Sequence, residues 1–361
     1  MAATSALQKT DTIEARSVDF DAIPLIDIGP FFNGDDEAKA RVAREIGDAC
    51  RQVGFFYVTN HGISEEIIDK LMGQTKRFFH QPVEEKMKLD TNVVQRHRGY
   101  VRNGALYADA TKKPDLQEGY EISMELPEDD PDYLAGNIML GPNVWPDNLP
   151  GFREEVYDYY EAVHQLGVTM FRAFEMTLGL PQGWFDDKIT RPMGQLRLIY
   201  YPPQEGPIDP DQIGIGAHTD YECFTLLLQD QVGGLQVGNR EGEWIKATPI
   251  PGAIVINIGD MLMRWTNGEF VSTPHRVIND TGKERVSFPF FFGANYDCVV
   301  SPLPQFTAAD NPAKFPPTRC GLWTENMITD VYEYRVTYRG KLDNPEMDWD
   351  ELDREAPGAA E

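Results

Sequence analysis

Six short apolar runs dominate the second half of the chain: Leu196–Tyr201, Phe224–Leu228, Gly234–Val237, Trp244–Ala247, Ala253–Asn257 and Val286–Phe292. Turn signals punctuate them, at Val232-Gly233-Gly234, Arg240-Glu241-Gly242, Pro251-Gly252 and Thr266-Asn267-Gly268. Strands this short, at this rhythm, bury their apolar side chains by pairing antiparallel in a sandwich or a jelly roll. That expectation constrains every other part of the chain.

Upstream the pattern is mixed. Ile23–Ile28 reads as a short strand, and Gly54–Gly62 as a buried strand ending in a turn. Val42, Ile46, Ala49 and Val53 recur at helical spacing, so a helix is expected over 35–53. Ser64 can cap a second helix running through Ile67, Leu71 and Phe78. A long helical pattern spans Phe152 to Leu178, and Thr324–Tyr338 reads as a closing helix. Residues 90–150 are loop-rich and resist assignment. The expected organisation is a flexible leader (1–20), a helical and mixed N-terminal region (21–150), a β core with helices (151–340) and an acidic tail (341–361).

The net charge of −25, with no compensating basic run, would repel phosphate backbones and anionic membranes. Nucleic acid and membrane are therefore not expected partners; a small molecule is. The four cysteines lie far apart without a CxxC pair, which suits a reducing cytoplasm. Nothing in the sequence separates a monomer from a homodimer.

The strand-rich segment also holds the chemistry. His218 and Asp220 sit two apart, so on a strand both point to one face. His275 follows fifty-five residues later. Two histidines and one carboxylate form the facial triad of non-haem Fe(II) sites, which leaves coordination positions open. A 2-oxoacid could chelate there, leaving a position for O2. Arg285 and Ser287 form a second pair at strand spacing, ten residues beyond His275. A guanidinium is a natural fork for a carboxylate, so this pair, with the Tyr201 phenol, could hold the far end of 2-oxoglutarate. An ordinary buried ion pair or a surface arginine is the plain alternative for Arg285. His61 and His80 are weaker ligand candidates, since a histidine near a turn or helix end commonly hydrogen-bonds locally; His164 reads as a packing or surface residue.

With these residues in place, the chain resembles the iron(II)/2-oxoglutarate-dependent oxygenase superfamily, in its isopenicillin N synthase-like branch. The matching segments are His218-Thr219-Asp220, Gly233–Val237, Pro251-Gly252-Ala253, Asn257–Asp260, Thr266-Asn267-Gly268, His275-Arg276-Val277 and Arg285-Val286-Ser287. Ile23–Asp27 and Gly54–Gly62 extend the match toward the N-terminus. The resemblance implies a mainly β fold with flanking α, a distorted double-stranded β-helix (jelly roll) with buttressing helices. It implies His218, Asp220 and His275 as iron ligands, and Tyr201, Arg285 and Ser287 as the 2-oxoglutarate site. One departure is Ile199, where many plant-like members carry Asn.

The implied reaction is a dioxygenase reaction that oxidises, and in the first instance hydroxylates, an unactivated C–H bond of a small molecule with release of succinate and CO2. Alternatives are an isopenicillin N synthase-like oxidase without 2-oxoglutarate and an ethylene-forming enzyme. A non-catalytic ligand-binding jelly roll would predict a broken triad or a missing arginine, and neither is seen. A zinc hydrolase would need a nearby general base and would leave the Arg/Ser pair without a role. Substrate contacts are expected from Arg102, Tyr107, Leu228, Phe290 and Phe292, the first two in the basic and aromatic cluster of residues 95–107. That cluster reads as a cap over the pocket or as a solvated face, and the apolar three read as wall or as core.

Overall fold

The computed structural model describes residues 23–108, 112–332, 334 and 335, together with Ala15. The expected acidic tail, and the leader apart from Ala15, lie outside the described residues.

Fourteen strands are present among the described residues. In chain order they are β1 (Leu25–Asp27), β2 (Phe55–Thr59), β3 (Gly99–Val101), β4 (Glu118–Ser123), β5 (Pro192–Tyr201) and β6 (Ile215–His218). There follow β7 (Phe224–Gln229), β8 (Leu235–Gly238), β9 (Trp244–Lys246), β10 (Ile254–Ile258) and β11 (His275–Val277). The last are β12 (Arg285–Asn295), β13 (Val299–Val300) and β14 (Thr318–Arg319). The larger sheet has the order β1-β2-β10-β7-β12-β5-β4-β3, and the smaller β6-β11-β8-β9. From β5 to β12 the chain passes back and forth between the two sheets, apart from the β8–β9 hairpin. This alternation winds a double-stranded β-helix, the jelly roll expected.

The outer face of the larger sheet packs on the helix Phe152–Leu178, whose bounds match the sequence pattern. Aromatic rings fill the contact: Phe292 lies 5.1 Å from Phe171, Phe290 5.3 Å from Tyr160, and Phe224 5.1 Å from Phe174, all edge-on. The helices Asp36–Gln52 and Glu65–Phe79 flank that helix and also meet the sheet, Phe78 packing beside Tyr120 of β4. Their N-caps are Asp35, which accepts from the Ala38 amide, and Ser64, which accepts from the Ile67 amide.

The region that resisted assignment contributes β3 and β4 to the larger sheet. Its strand character is masked because β4 carries Glu118, Gly119 and Glu121, which a propensity reading counts against a strand. Glu118 pairs with the buried ammonium of Lys86, and Glu121 lies across from Arg197. The closing helix starts at Cys320 and ends at Val331.

Gly167 marks where helix and sheet come closest. A Cβ there would stand 2.1 Å from the Phe292 ring. Gly167→Ala would gain about 1 kcal/mol in helix propensity, against about 1–3 kcal/mol for overpacking the core. The overpacking is expected to win at so short a distance. Thermal unfolding should show a lowered Tm; an unchanged or raised Tm would mean that the helix can shift outward freely.

Candidate metal centre and cavity

A cavity of about 910 Å³, counting its open mouth, lies between the two sheets. Its floor is the inner face of the larger sheet, and the period-2 pleat fixes which residues appear there. Strand register arranges them in rows. Arg285 faces Tyr201, and Ser287 is flanked by Gln229 and Ile199. Beyond these, Pro289 on β12 lies beside Leu227 on β7, and Arg197 on β5 lies beside Glu121 on β4. Phe291 is flanked by Thr225 and Gln195, and Thr225 faces Asn257 on β10. The smaller sheet and the residues around Leu106, Asp115 and Tyr332 form the roof and rim.

His218 ends β6, Asp220 follows just past the strand, and His275 opens β11, paired directly with His218. One donor atom from each lies within 4.8 Å of the others. Asp220 Oδ1 stands 3.7 Å from His218 Nε2 and 3.7 Å from His275 Nε2. The remaining polar atoms are engaged elsewhere. His218 Nδ1 donates to the Gly216 carbonyl (2.9 Å) and His275 Nδ1 points at the Thr273 carbonyl (3.3 Å). A carbonyl can only accept, so both Nε2 atoms keep a bare lone pair. Asp220 Oδ2 accepts from Thr225 Oγ1 and from Asn257 Nδ2 (2.6 Å), which leaves Oδ1 facing the imidazoles.

Charge follows the same design. Burial, and then the neighbouring His275, lower His218 to about 4, so its imidazole is neutral at ordinary pH. Burial alone would raise Asp220, but the two histidines and the Asn257 and Thr225 hydrogen bonds hold it below the usual carboxylate range. Two imidazoles turned with Nε2 toward one carboxylate oxygen are a donor set that fits a divalent first-row metal.

Arg285 is 1% exposed, with its guanidinium stacked 4.6 Å over the Tyr201 ring. Its Nη1 approaches Ser287 Oγ (3.2 Å) and its Nη2 donates to Gln229 Oε1 (3.1 Å), whereas Nε has no partner among the described residues. The ion pair offered as the plain alternative is not seen among the described residues: no carboxylate of theirs lies within salt-bridge distance of this charge. A buried cation with a spare donor is the fit an organic acid needs.

Other expected contacts fall elsewhere. Leu228, Phe290 and Phe292 point to the outer face, into the aromatic core, and do not line the cavity. Leu227, Pro289 and Phe291 occupy the inner face instead. The alternation that pairs Arg285 with Ser287 puts every odd-numbered neighbour on β12 inward, which settles Phe290 and Phe292 as core. Arg102 and Tyr107 also stand off the lining, and Tyr107 is exposed. The basic cluster is neither cap nor solvated face. Arg96 bonds the carbonyls of Asn137 and Leu140, and Arg98 those of His97 and Met139, so both pin a neighbouring loop. Of residues 95–107, His97 and Leu106 line the cavity. His61 bonds the Ile63 amide, His80 bonds Glu284, and His164 stacks on Phe292.

Several cavity residues went unnoticed in the sequence. Asp115 accepts from the Gly216 and Ala108 amides, and burial raises its carboxyl to about 6 against those bonds. Since Gly216 also holds His218, Asp115 braces a candidate ligand from behind. Glu222, on the wall, is pushed up to about 8 by burial and by the Asp220 charge. No motif spacing marks either residue; only strand register and loop path bring them in.

Comparison with known proteins agrees with this geometry. Residues 192–294 match the model of the 2OG-Fe(II) oxygenase superfamily, and residues 23–148 that of the non-haem dioxygenase in morphine synthesis N-terminal region. The chain is 39% identical over 319 residues to the 2-oxoglutarate-Fe(II) type oxidoreductase hxnY of Emericella nidulans, covering 86% of this chain and 90% of the relative. It is 40% identical over 300 residues to a homoarginine-6-hydroxylase of Arabidopsis thaliana, covering 80% and 89% respectively. Among solved structures, a full-length Neurospora crassa protein in complex with alpha-KG and thymine superposes with a TM-score of 0.76 at 30% identity, over 87% of this chain and 99% of that one.

Asn257→Ala should weaken metal binding by about 10- to 100-fold, as loss of a bond that orients a ligand generally does. Anaerobic Co(II) titration followed by visible absorbance measures this. An unchanged affinity would show that Thr225 alone holds the carboxylate.

Proposed function

The chain belongs to the 2-oxoglutarate- and Fe(II)-dependent oxygenase superfamily, and on that premise we propose that His218, Asp220 and His275 hold its iron. It is a 2-oxoglutarate-dependent dioxygenase acting on a small molecule. We further propose hydroxylation of a C–H bond as the outcome. Supporting this reading is one observation above the rest: the three candidate ligands and the Arg285–Ser287 pair open onto the same cavity.

Bound iron would supply oxidation, using O2 and the electrons released when 2-oxoglutarate loses CO2. The chain's own residues do the placing. Arg285 and Ser287 take the far carboxylate of 2-oxoglutarate, with Arg285 Nε as the donor left over for it, and Tyr201 keeps the guanidinium flat by stacking. Thr225 and Asn257 keep Asp220 turned toward the ion, and the Gly216 and Thr273 carbonyls keep the imidazoles in the metal-binding tautomer. Ile199, Leu227, Pro289 and Phe291 form an apolar strip of the cavity floor, which helps exclude water from the reacting centre.

Hydroxylation is favoured by the relatives named homoarginine-6-hydroxylase, and a polar nitrogenous substrate by those names and by the neighbour solved with thymine. No helix among the described residues is long and apolar enough to cross a membrane. Cys50, Cys223, Cys298 and Cys320 are free thiols, which fits a reducing cytoplasm, and the acidic surface gives nucleic acid and membrane no purchase. A monomer or a homodimer is the proposed state.

Anaerobic addition of 2-oxoglutarate to the Fe(II)-loaded protein should produce a weak visible charge-transfer band, and His275→Ala should abolish it. Iron binding without any band would favour the oxidase that uses no 2-oxoglutarate. Arg285→Ala should raise the 2-oxoglutarate midpoint on the order of 10- to 100-fold, the effect of losing a charge-assisted hydrogen-bond pair. An unchanged midpoint would return Arg285 to a purely structural role.

A further inference from the structure

The inner face of the larger sheet carries a second buried guanidinium besides that of Arg285. Arg197 is 7% exposed and lines the cavity four residues back along β5 from Tyr201, roughly 13 Å at the rise of a strand. It therefore occupies a different row of the floor from Arg285. It lies two strands across from Leu227 on β7, next to the row in which Thr225 and Asn257 brace Asp220. A molecule resting on the floor between the proposed metal and β4 would meet it.

Its hydrogen bonds are incomplete. Neither Nε nor Nη2 has an acceptor among the described residues. Glu121 Oε1, the nearest acid oxygen, is 3.4 Å from Nε but already accepts from the Tyr332 hydroxyl. Glu121 thus balances the charge without completing the fork. The chain also keeps space clear above this group. A Cβ at Gly119 would come within 2.9 Å of Arg197 Nε and 3.1 Å of Nη2, so only glycine lets the guanidinium lie there.

Two amides flank the same floor with free valences. Gln117 is 2% exposed and lines the cavity, and neither its oxygen nor its nitrogen has a partner among the described residues. Gln195 accepts from His97 Nε2 (3.0 Å), while its own nitrogen has no partner among them. Counting Glu121 Oε2, which also lacks a partner among the described residues, four unsatisfied donors and two acceptors, all buried, would each cost about 1–3 kcal/mol if nothing came to them. Together they specify the chemistry of a molecule that would satisfy them.

We propose that Arg197 is the substrate-anchoring residue, and that the substrate is a small carboxylic acid that also bears an N–H group. The carboxylate takes the Arg197 fork and the Gln195 amide nitrogen. Gln117, with one donor and one acceptor free, reads the neighbouring nitrogen-bearing group. This rests on the oxygenase reading above, and it divides the two acids of the reaction between two arginines: Arg285 for the cosubstrate, Arg197 for the substrate.

The test uses the full chain loaded with Fe(II) and 2-oxoglutarate without oxygen. Matched pairs of 2-amino acids and monocyclic aromatic acids, each beside its primary amide, are titrated while the charge-transfer band is watched. Mass spectrometry after admission of oxygen then scores addition of one oxygen atom. At least one acid should shift the band at millimolar concentration or below and gain oxygen, and its amide should bind on the order of 10- to 100-fold more weakly. Arg197→Gln should erase the preference for the acid, and Arg197→Lys should restore part of it. The 2-oxoglutarate midpoint should stay in place in both variants, which a collapse of the cavity would not allow. Equal binding of acid and amide, retention of the preference in Arg197→Gln, or failure of every acid to bind would overturn the proposal. If no band forms with 2-oxoglutarate in the unaltered protein, the underlying oxygenase reading fails instead, and the two failures are distinct.

Discussion

Each strand of the larger sheet must serve two opposite environments, and the pleat leaves it no choice about how. On β12 the residues Val286, Phe288, Phe290 and Phe292 enter an aromatic core against the long helix, while Arg285, Ser287, Pro289 and Phe291 face the cavity. The outer face supplies cohesion. Rings spaced 5–6 Å apart edge-on contribute about 0.5–1.5 kcal/mol per pair beyond simple burial. The inner face gives stability up, because it holds two guanidiniums and several amides whose bonds the protein does not complete. A sheet with polar groups on both faces would not hold together. One with apolar groups on both would have nothing to bind.

The proposed metal position depends on backbone atoms as much as on the three ligands. The Gly216 carbonyl fixes the His218 tautomer, and the Gly216 amide is fixed in turn by Asp115. Asp115 also holds Ala108 at the cavity rim. The end of β6 and the rim are therefore tied to one carboxylate, so whatever moves the rim is felt at His218. Asp220 is held from the opposite side by Thr225 and Asn257, which belong to the larger sheet. The candidate centre thus spans both sheets and fixes their separation at one end of the sandwich.

The acids around the cavity are handled differently from one another. Asp220 keeps its charge because hydrogen bonds and two imidazoles favour it, whereas Asp115 and Glu222 are driven up by burial. Arg285 and Arg197 stand on the same face in separate rows, and neither is fully neutralised by hydrogen-bonded acids.

The sequence alone settled whatever depends on short-range repetition. Two-residue spacing placed Arg285 with Ser287 and His218 with Asp220, helical spacing gave Phe152–Leu178, and turn signals separated the strands of a jelly roll. Carried one step further, the same alternation decides between the wall and the core for Phe290 and Phe292, and sends both to the core. Strand β4 is hidden because its charged residues find partners far away in sequence, such as Lys86 and Arg197, and β3 is only three residues long. The roles of Asp115, Gln117 and Arg197 could not be read at all in advance. They follow from strand register across β12, β5 and β4, and from a loop folding back onto β6. Such pairings join residues up to about a hundred positions apart, and no local pattern carries them. Local periodicity decided which side chains share a face; only the closed sandwich decided what that face looks at.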